Sequence, residues 1–228
     1  MSDEVVVLAR AVLYRELARA FAYPDATLHG EPGNESAEAI RAALAALPER
    51  LELAPLAQRA IEASAALAGA DVSLAEEHVR LFARQVLSPP YEASYGPDRA
   101  FGRVKDMAEL ASLYAAFGVR VAEREKELPD HVGVELGFLS FLCAKESYAH
   151  QTGNQDEALV CRAARGRFLT DHARRWLPAL AERLTEKSRL DFFPAFASLA
   201  AAAVMLDPAG TALPADEASP APGLPTEP

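Results

Sequence analysis

The sequence predicts an all-α protein, a single-domain bundle of about nine or ten helices over residues 1–206, on three observations. Apolar residues recur at helical spacing along nearly the whole chain. No stretch alternates polar and apolar residues with period two, and no tight hairpin signal joins two β-prone runs. Half of the 228 residues are hydrophobic, enough for one sizeable core.

The helices follow in order. Ala9, Leu13, Leu17 and Phe21 recur every four residues, with Arg10, Arg15 and Arg19 mostly off that face, which predicts a first helix over about 4–22. Pro24 ends it, and a loop rich in Gly, Pro and Asn follows to Asn34. Alanine-rich helices come next, near 35–47 and 55–68. Ser73 and Glu76 have capping-box spacing and open a helix carrying Leu74, Val79, Leu81 and Phe82, which runs to about Val86. Ser88, Pro89 and Pro90 break it.

Met107, Leu110, Tyr114 and Phe117 mark a helix near 104–117, ended by Gly118, before a charged connector from Ala122 to Pro129. From His131 to about His150 the apolar residues go nearly all round, the pattern of a buried central helix. Cys161, Ala164, Phe168, His172 and Trp176 share a face on the next helix, which Pro178 is expected to stop or kink. Phe193, Phe196, Ala200 and Ala203 mark the last, near 190–206. Residues 208–228 hold six prolines, no aromatic residue and no Lys or Arg, so 207–228 is expected to be a disordered, Pro-rich acidic tail.

Composition narrows the function. A net charge of -10 and a pI near 5.0 oppose binding to phosphate backbones and anionic lipid. Neither a nucleic acid partner nor stable membrane association is expected. The apolar run Val5 to Leu8 is too short for a leader or a span and has charges around it, so the chain is expected to remain cytoplasmic. Cys143 and Cys161 form no CxxC pair and read as reduced, buried thiols.

Common catalytic signatures are missing: no phosphate loop, no GxGxxG, no HExxH and no GxSxG. No two of His29, His78, His131, His150 and His172 are three or four residues apart. His131 and Glu135 lie one helical turn apart. With His78 they leave one alternative open, a helical metal-binding protein or enzyme.

Two segments carry a family resemblance. The first is Glu77-His78-Val79-Arg80-Leu81-Phe82 followed by Ser88-Pro89-Pro90-Tyr91-Glu92-Ala93-Ser94-Tyr95-Gly96. The second is Glu127-Leu128-Pro129-Asp130-His131 running into Val132-Gly133-Val134-Glu135-Leu136-Gly137-Phe138-Leu139. Together they resemble the TorD/DmsD family of redox-enzyme maturation proteins, which includes NarJ-like members. The E-x-P-D-H motif is complete; Ala93 and Gly137 stand where the family commonly has Ser and Glu.

The resemblance implies a cytoplasmic helical chaperone with no catalysis; no metal and no cofactor are expected from the residues. Its partner would be the twin-arginine signal peptide, or its remnant, on the apo-form of a molybdopterin oxidoreductase catalytic subunit, held until the cofactor is inserted and before export.

The residues suit such a ligand. Arginine is best met by carboxylates placed for forked hydrogen bonds. Glu123, Glu125, Glu127, Asp130 and Glu135 gather carboxylates around one connector and one helix start, with 122–131 at net -2. Pro129 restricts Leu128 to extended geometry, and Asp130 is expected to cap the following helix. Phe82, Pro89, Pro90, Tyr91 and Tyr95 offer apolar walls with polar ends. The expected peptide contacts are therefore Phe82, Pro89, Pro90, Tyr91, Glu92, Glu127, Pro129, Asp130, His131 and Glu135.

Overall fold

The helix with no polar face, α6 (Val132–Gln151), is the axis of the fold, as its all-round apolar pattern requires. The protein is described here by a computed structural model covering residues 2–24, 32–95, 102–120 and 127–209. The other helices are α1 (Asp3–Ala20), α2 (Pro32–Ala45), α3 (Arg50–Ala66), α4 (Leu74–His78), α5 (Gly102–Ala116), α7 (Gln155–Phe168), α8 (Arg174–Lys187) and α9 (Phe192–Leu206). Wider π-helical turns extend α4 over Val79–Arg84 and join α7 to α8 over Leu169–Ala173. With α7 and α8 counted as one rod, the described residues form eight rods and no strand, so the all-α expectation holds.

Helix α1 runs antiparallel to α6. The Ser140 hydroxyl donates to the Ala11 carbonyl at 2.7 Å and the Ser147 hydroxyl to the Glu4 carbonyl at 3.2 Å. At the far end Gly133 lies so close that an added Cβ would meet the Ala18 carbonyl at 3.3 Å. Helix α7 packs on α6, α8 and α3 pack on α9, and α2 bridges α1 to α3. The shared core holds Tyr14, Leu17, Leu136, Leu139, Phe168, Trp176 and Phe193, all essentially without exposure.

A buried ionic network ties four helices together. Arg165 on α7 pairs with Glu146 of α6 at 3.1 Å and with Asp207, just beyond α9, at 3.6 Å. Its Nη1 also donates to the Cys143 sulfur at 3.0 Å. Arg10 of α1 pairs with Asp207 at 3.7 Å and with Glu49, and the Tyr14 hydroxyl donates to Asp207 at 3.0 Å. Burial pushes the Cys143 thiol up to about 12, so it stays neutral at pH 7.

One expectation is corrected. Pro178 does not stop its helix, because α8 continues through it to Lys187. A proline in the second turn deletes one backbone bond, and burial of Trp176, Leu177, Leu180 and Leu184 holds the rest. Just beyond α9, Asp207 and Ala209 are buried, and Arg174 donates to the carbonyls of Val204 and Asp207. The rest of the expected tail, 210–228, lies outside the described residues. Among the described residues no helix is long and apolar enough to cross a membrane.

Candidate functional site

The two motif segments meet as main chain. The proline loop 88–95 lies across the start of α6. The Val132 N–H donates to the Pro90 carbonyl at 2.9 Å, and the Glu92 N–H to the Asp130 carbonyl at 3.0 Å. Tyr91 and His131 thereby form an isolated antiparallel bridge. The Ser88 N–H donates to the Leu81 carbonyl at 3.1 Å, and Arg183 Nε to the Leu87 carbonyl at 2.8 Å, so the loop is tied at its entry too. The Tyr114 hydroxyl donates to the Pro129 carbonyl at 2.8 Å, fixing the other segment to α5.

The cap of α6 is not the expected one. His131 is the N-cap, its Nδ1 accepting from the Gly133 N–H at 3.1 Å. Asp130 turns the other way, accepting the Ala93 N–H at 3.3 Å. The backbone bridge accounts for this: once Asp130 pairs with the loop, its carboxylate lies over the loop and leaves the cap to the next residue. Asp130 is 1% exposed, His131 6% and Glu135 0%, so all three face inward.

Glu135 accepts from Trp176 Nε1 at 3.0 Å and lies close enough to Glu92 to feel its charge. Glu92 in turn meets His172 Nδ1 at 2.9 Å. Burial first, then the charges of Glu92 and Asp130, hold the Glu135 carboxyl well above the usual carboxylate range. Burial therefore favours its protonated form. Burial also raises the Tyr114 hydroxyl, with Glu135, Glu92 and Asp130 adding to the effect.

Burial lowers His131 to about 4. Because Nδ1 accepts from Gly133, the ring proton sits on Nε2, which is 3.9 Å from Glu127 Oε2. A histidine lowered in the folded state costs stability as pH falls below its ordinary value of 6.5, and the penalty is complete below about 4. At pH 4.5 it amounts to about 2–3 kcal/mol relative to pH 7. Asn at 131 keeps a capping acceptor but cannot titrate. His131→Asn is therefore expected to lose less stability than the parent between pH 7 and 4.5 by that amount, read from denaturant midpoints at the two pH values; equal losses would show that His131 is not buried neutral.

The outward face is narrower than the motifs suggested. Tyr91 is half-buried, its hydroxyl donating to Glu127 Oε2 at 3.1 Å and its ring meeting His131 edge-on at 5.4 Å. The Glu127 side chain is 37% exposed and Leu128 is exposed beside it. Next to this edge stands His78, whose ring contacts Tyr23 at 5.3 Å and Phe82 at 4.9 Å. Burial lowers the His78 pKa, a hydrogen bond to the Phe21 backbone opposes this, and the fields of His131 and Glu127 also reach it.

Of the expected contacts, Pro89, Pro90, Tyr91, Glu92, Glu127, Pro129, Asp130, His131 and Glu135 are gathered at the bridge. Phe82 is buried off the bridge, its ring 4.9 Å from His78 and 5.1 Å from Phe193. Glu123 and Glu125 lie outside the described residues. Tyr23, Tyr114, His172 and Trp176 belong to the site without having been singled out for it. Their contacts cross large sequence separations, such as 80 residues for His172 with Glu92, and no local spacing reports that. His131 and Glu135 face different partners, and among the described residues no three His, Cys, Asp or Glu side chains are placed to hold a metal.

Fold and site together define a helical protein whose proline loop is stitched to the N-terminus of its central helix through main-chain bonds and the buried Asp130 carboxylate. The chain belongs to the nitrate reductase delta subunit family, whose sequence profile matches residues 34–182. It is 30% identical over 175 residues to the chaperone protein TorD of Vibrio parahaemolyticus serotype O3:K6, covering 75% of this chain and 80% of that protein. It is 37% identical over 111 residues to the selenate reductase assembly chaperone protein of Thauera selenatis, covering 48% of this chain and 55% of that one. The chlorate reductase assembly chaperone protein of Ideonella dechloratans matches with the same identity and coverage.

Proposed function

We propose that this chain is a cytoplasmic assembly chaperone, without a catalytic step of its own. Its client is the apo-form of a molybdopterin oxidoreductase catalytic subunit, held by the twin-arginine signal peptide or its remnant while the cofactor is inserted and before export. Family membership and the relatives named as reductase assembly chaperones support the chaperone role. The observation that carries the peptide site is the Tyr91–His131 bridge, which brings the proline loop and the E-x-P-D-H segment to one edge.

In this reading the inward residues Asp130, His131, Glu135 and Glu92 are the frame. The outward residues Tyr91, Glu127, Leu128 and Pro129, with the Tyr23–His78–Phe82 wall beside them, are the grip. Glu127 offers a carboxylate to an arginine, and the tyrosine and leucine offer apolar cover. An exposed ion pair contributes about 0.2–1 kcal/mol, whereas a micromolar complex needs about 8 kcal/mol. Apolar burial therefore supplies most of the affinity, and the carboxylate sets orientation.

Calorimetric titration with the client's signal peptide tests the site. Glu127→Gln is expected to weaken binding by about 0.2–1 kcal/mol. Tyr91→Ser, which removes the ring, is expected to cost at least about 2 kcal/mol. Asp130→Ala should act through the loop, lowering affinity while speeding amide exchange at Ala93. Unchanged affinity in both Tyr91→Ser and Glu127→Gln would place the peptide elsewhere.

A further inference from the structure

A second built surface lies on the outer side of α4. Its keystone is Glu77, fully buried, which accepts from Arg80 Nε at 2.8 Å, Arg80 Nη2 at 2.6 Å, the Ser188 hydroxyl at 3.1 Å and the Arg189 N–H at 2.6 Å. This one carboxylate ties the π-turn after α4 to the linker between α8 and α9. Arg80 Nη2 also donates to the Lys187 carbonyl, so the guanidinium is fixed, and its Nη1 edge has no partner among the described residues.

Beside it is an open hollow of about 450 Å³ lined by Arg80, Arg84, Arg189, Tyr23, Val79 and Gln85. The side chains of Arg84 and Arg189 are exposed and make no hydrogen bond or ion pair with any described residue. The acidic residue at the rim, Glu76, is engaged in the Ser73 capping box. Three arginines thus line one cavity on a chain of net charge -10.

We propose that this hollow binds an acidic segment of a polypeptide partner, with carboxylate side chains on the three arginines. Guanidinium forks match carboxylates two bonds at a time. The Tyr23 ring and Val79 provide an apolar wall for intervening residues, and the Gln85 amide suits a peptide main chain. A phosphate ligand fits less well, because α4 caps its own N-terminus. The site is independent of the signal-peptide reading, since it would repel paired arginines. Tyr23 stands between it and His78, so both could be filled together.

Fluorescence anisotropy on the full chain, with a short fluorescein-labelled peptide of alternating Glu and Leu, tests it. The pair Arg84→Glu, Arg189→Glu is expected to weaken binding by roughly tenfold or more. The pair Arg41→Glu, Arg50→Glu carries the same net charge on exposed sites elsewhere and should change it by less than about twofold. Equal losses would mean that only the overall field matters and would overturn the site. So would arginine-dependent binding of inorganic tripolyphosphate with none of the peptide. Tighter peptide binding in a variant carrying Asp216→Asn, Glu217→Gln and Glu227→Gln would assign the hollow to the chain's own C-terminal residues and overturn a separate partner. Circular dichroism on each variant confirms that the helices are intact.

Discussion

Arg165→Met is expected to lower the stability of the folded chain by about 3–5 kcal/mol, the loss associated with leaving a buried charge without its partner. Arg165 stands between Glu146 and Asp207, whose side chains have no exposure, and its removal takes a buried partner from each carboxylate. Asp207 keeps Arg10 and Tyr14, and among the described residues Glu146 keeps Arg162 at 2.8 Å from the rim and His150 at 3.9 Å. Denaturant midpoints measure the loss. Arg167→Met, on the exposed face of the same helix and paired with Asp171, should change stability by less than about 0.5 kcal/mol. Adding Glu146→Gln to Arg165→Met should restore part of the loss, since the two sites are coupled. A similar small effect at Arg165 and Arg167 would mean that water reaches the network.

Trp176→Ala is expected to cost about 3–5 kcal/mol and to loosen the proline loop as well. The indole is buried at the back of the site, 5.4 Å from the Tyr95 ring, and its Nε1 is the donor to Glu135. Trp176→Phe keeps most of the wall and deletes that donor alone, for a loss of about 1–3 kcal/mol. Amide hydrogen exchange at Glu92 and Ala93 separates the two causes. Faster exchange in the alanine variant but not in the phenylalanine variant would assign the loop's order to packing; equal acceleration would assign it to the Glu135 hydrogen bond. Parent-like exchange in both would uncouple Trp176 from the loop.

Most of the helices were legible because each buries one face, and the apolar spacing records that face directly. Val132, Leu136 and Leu139 mark α6 in the sequence and are buried in the fold. The meeting of Tyr91 with Asp130 and His131 was readable only as an expectation drawn from two motifs. What spacing could not disclose was direction. Asp130 reads as a helix cap by its position after Pro129, yet main-chain pairing with the loop turns its carboxylate to Ala93 and passes the cap to His131. Glu135 reads as a peptide contact by charge, yet α6 is the axis of the bundle and carries it into the core, where α8 supplies the tryptophan that receives it. Pro178 reads as a stop by type, yet the apolar face of α8 outweighs one missing bond. In each case the deciding partner comes from another element.

The raised pKa of Glu135 has a consequence for the act of folding. Burial favours the protonated carboxyl in the native core over the ionised one. Between its unfolded and folded titrations the chain therefore takes up hydrogen ions at this residue on folding and gives them back on unfolding. The heat absorbed on melting in that range contains the ionisation heat of whatever buffer is present.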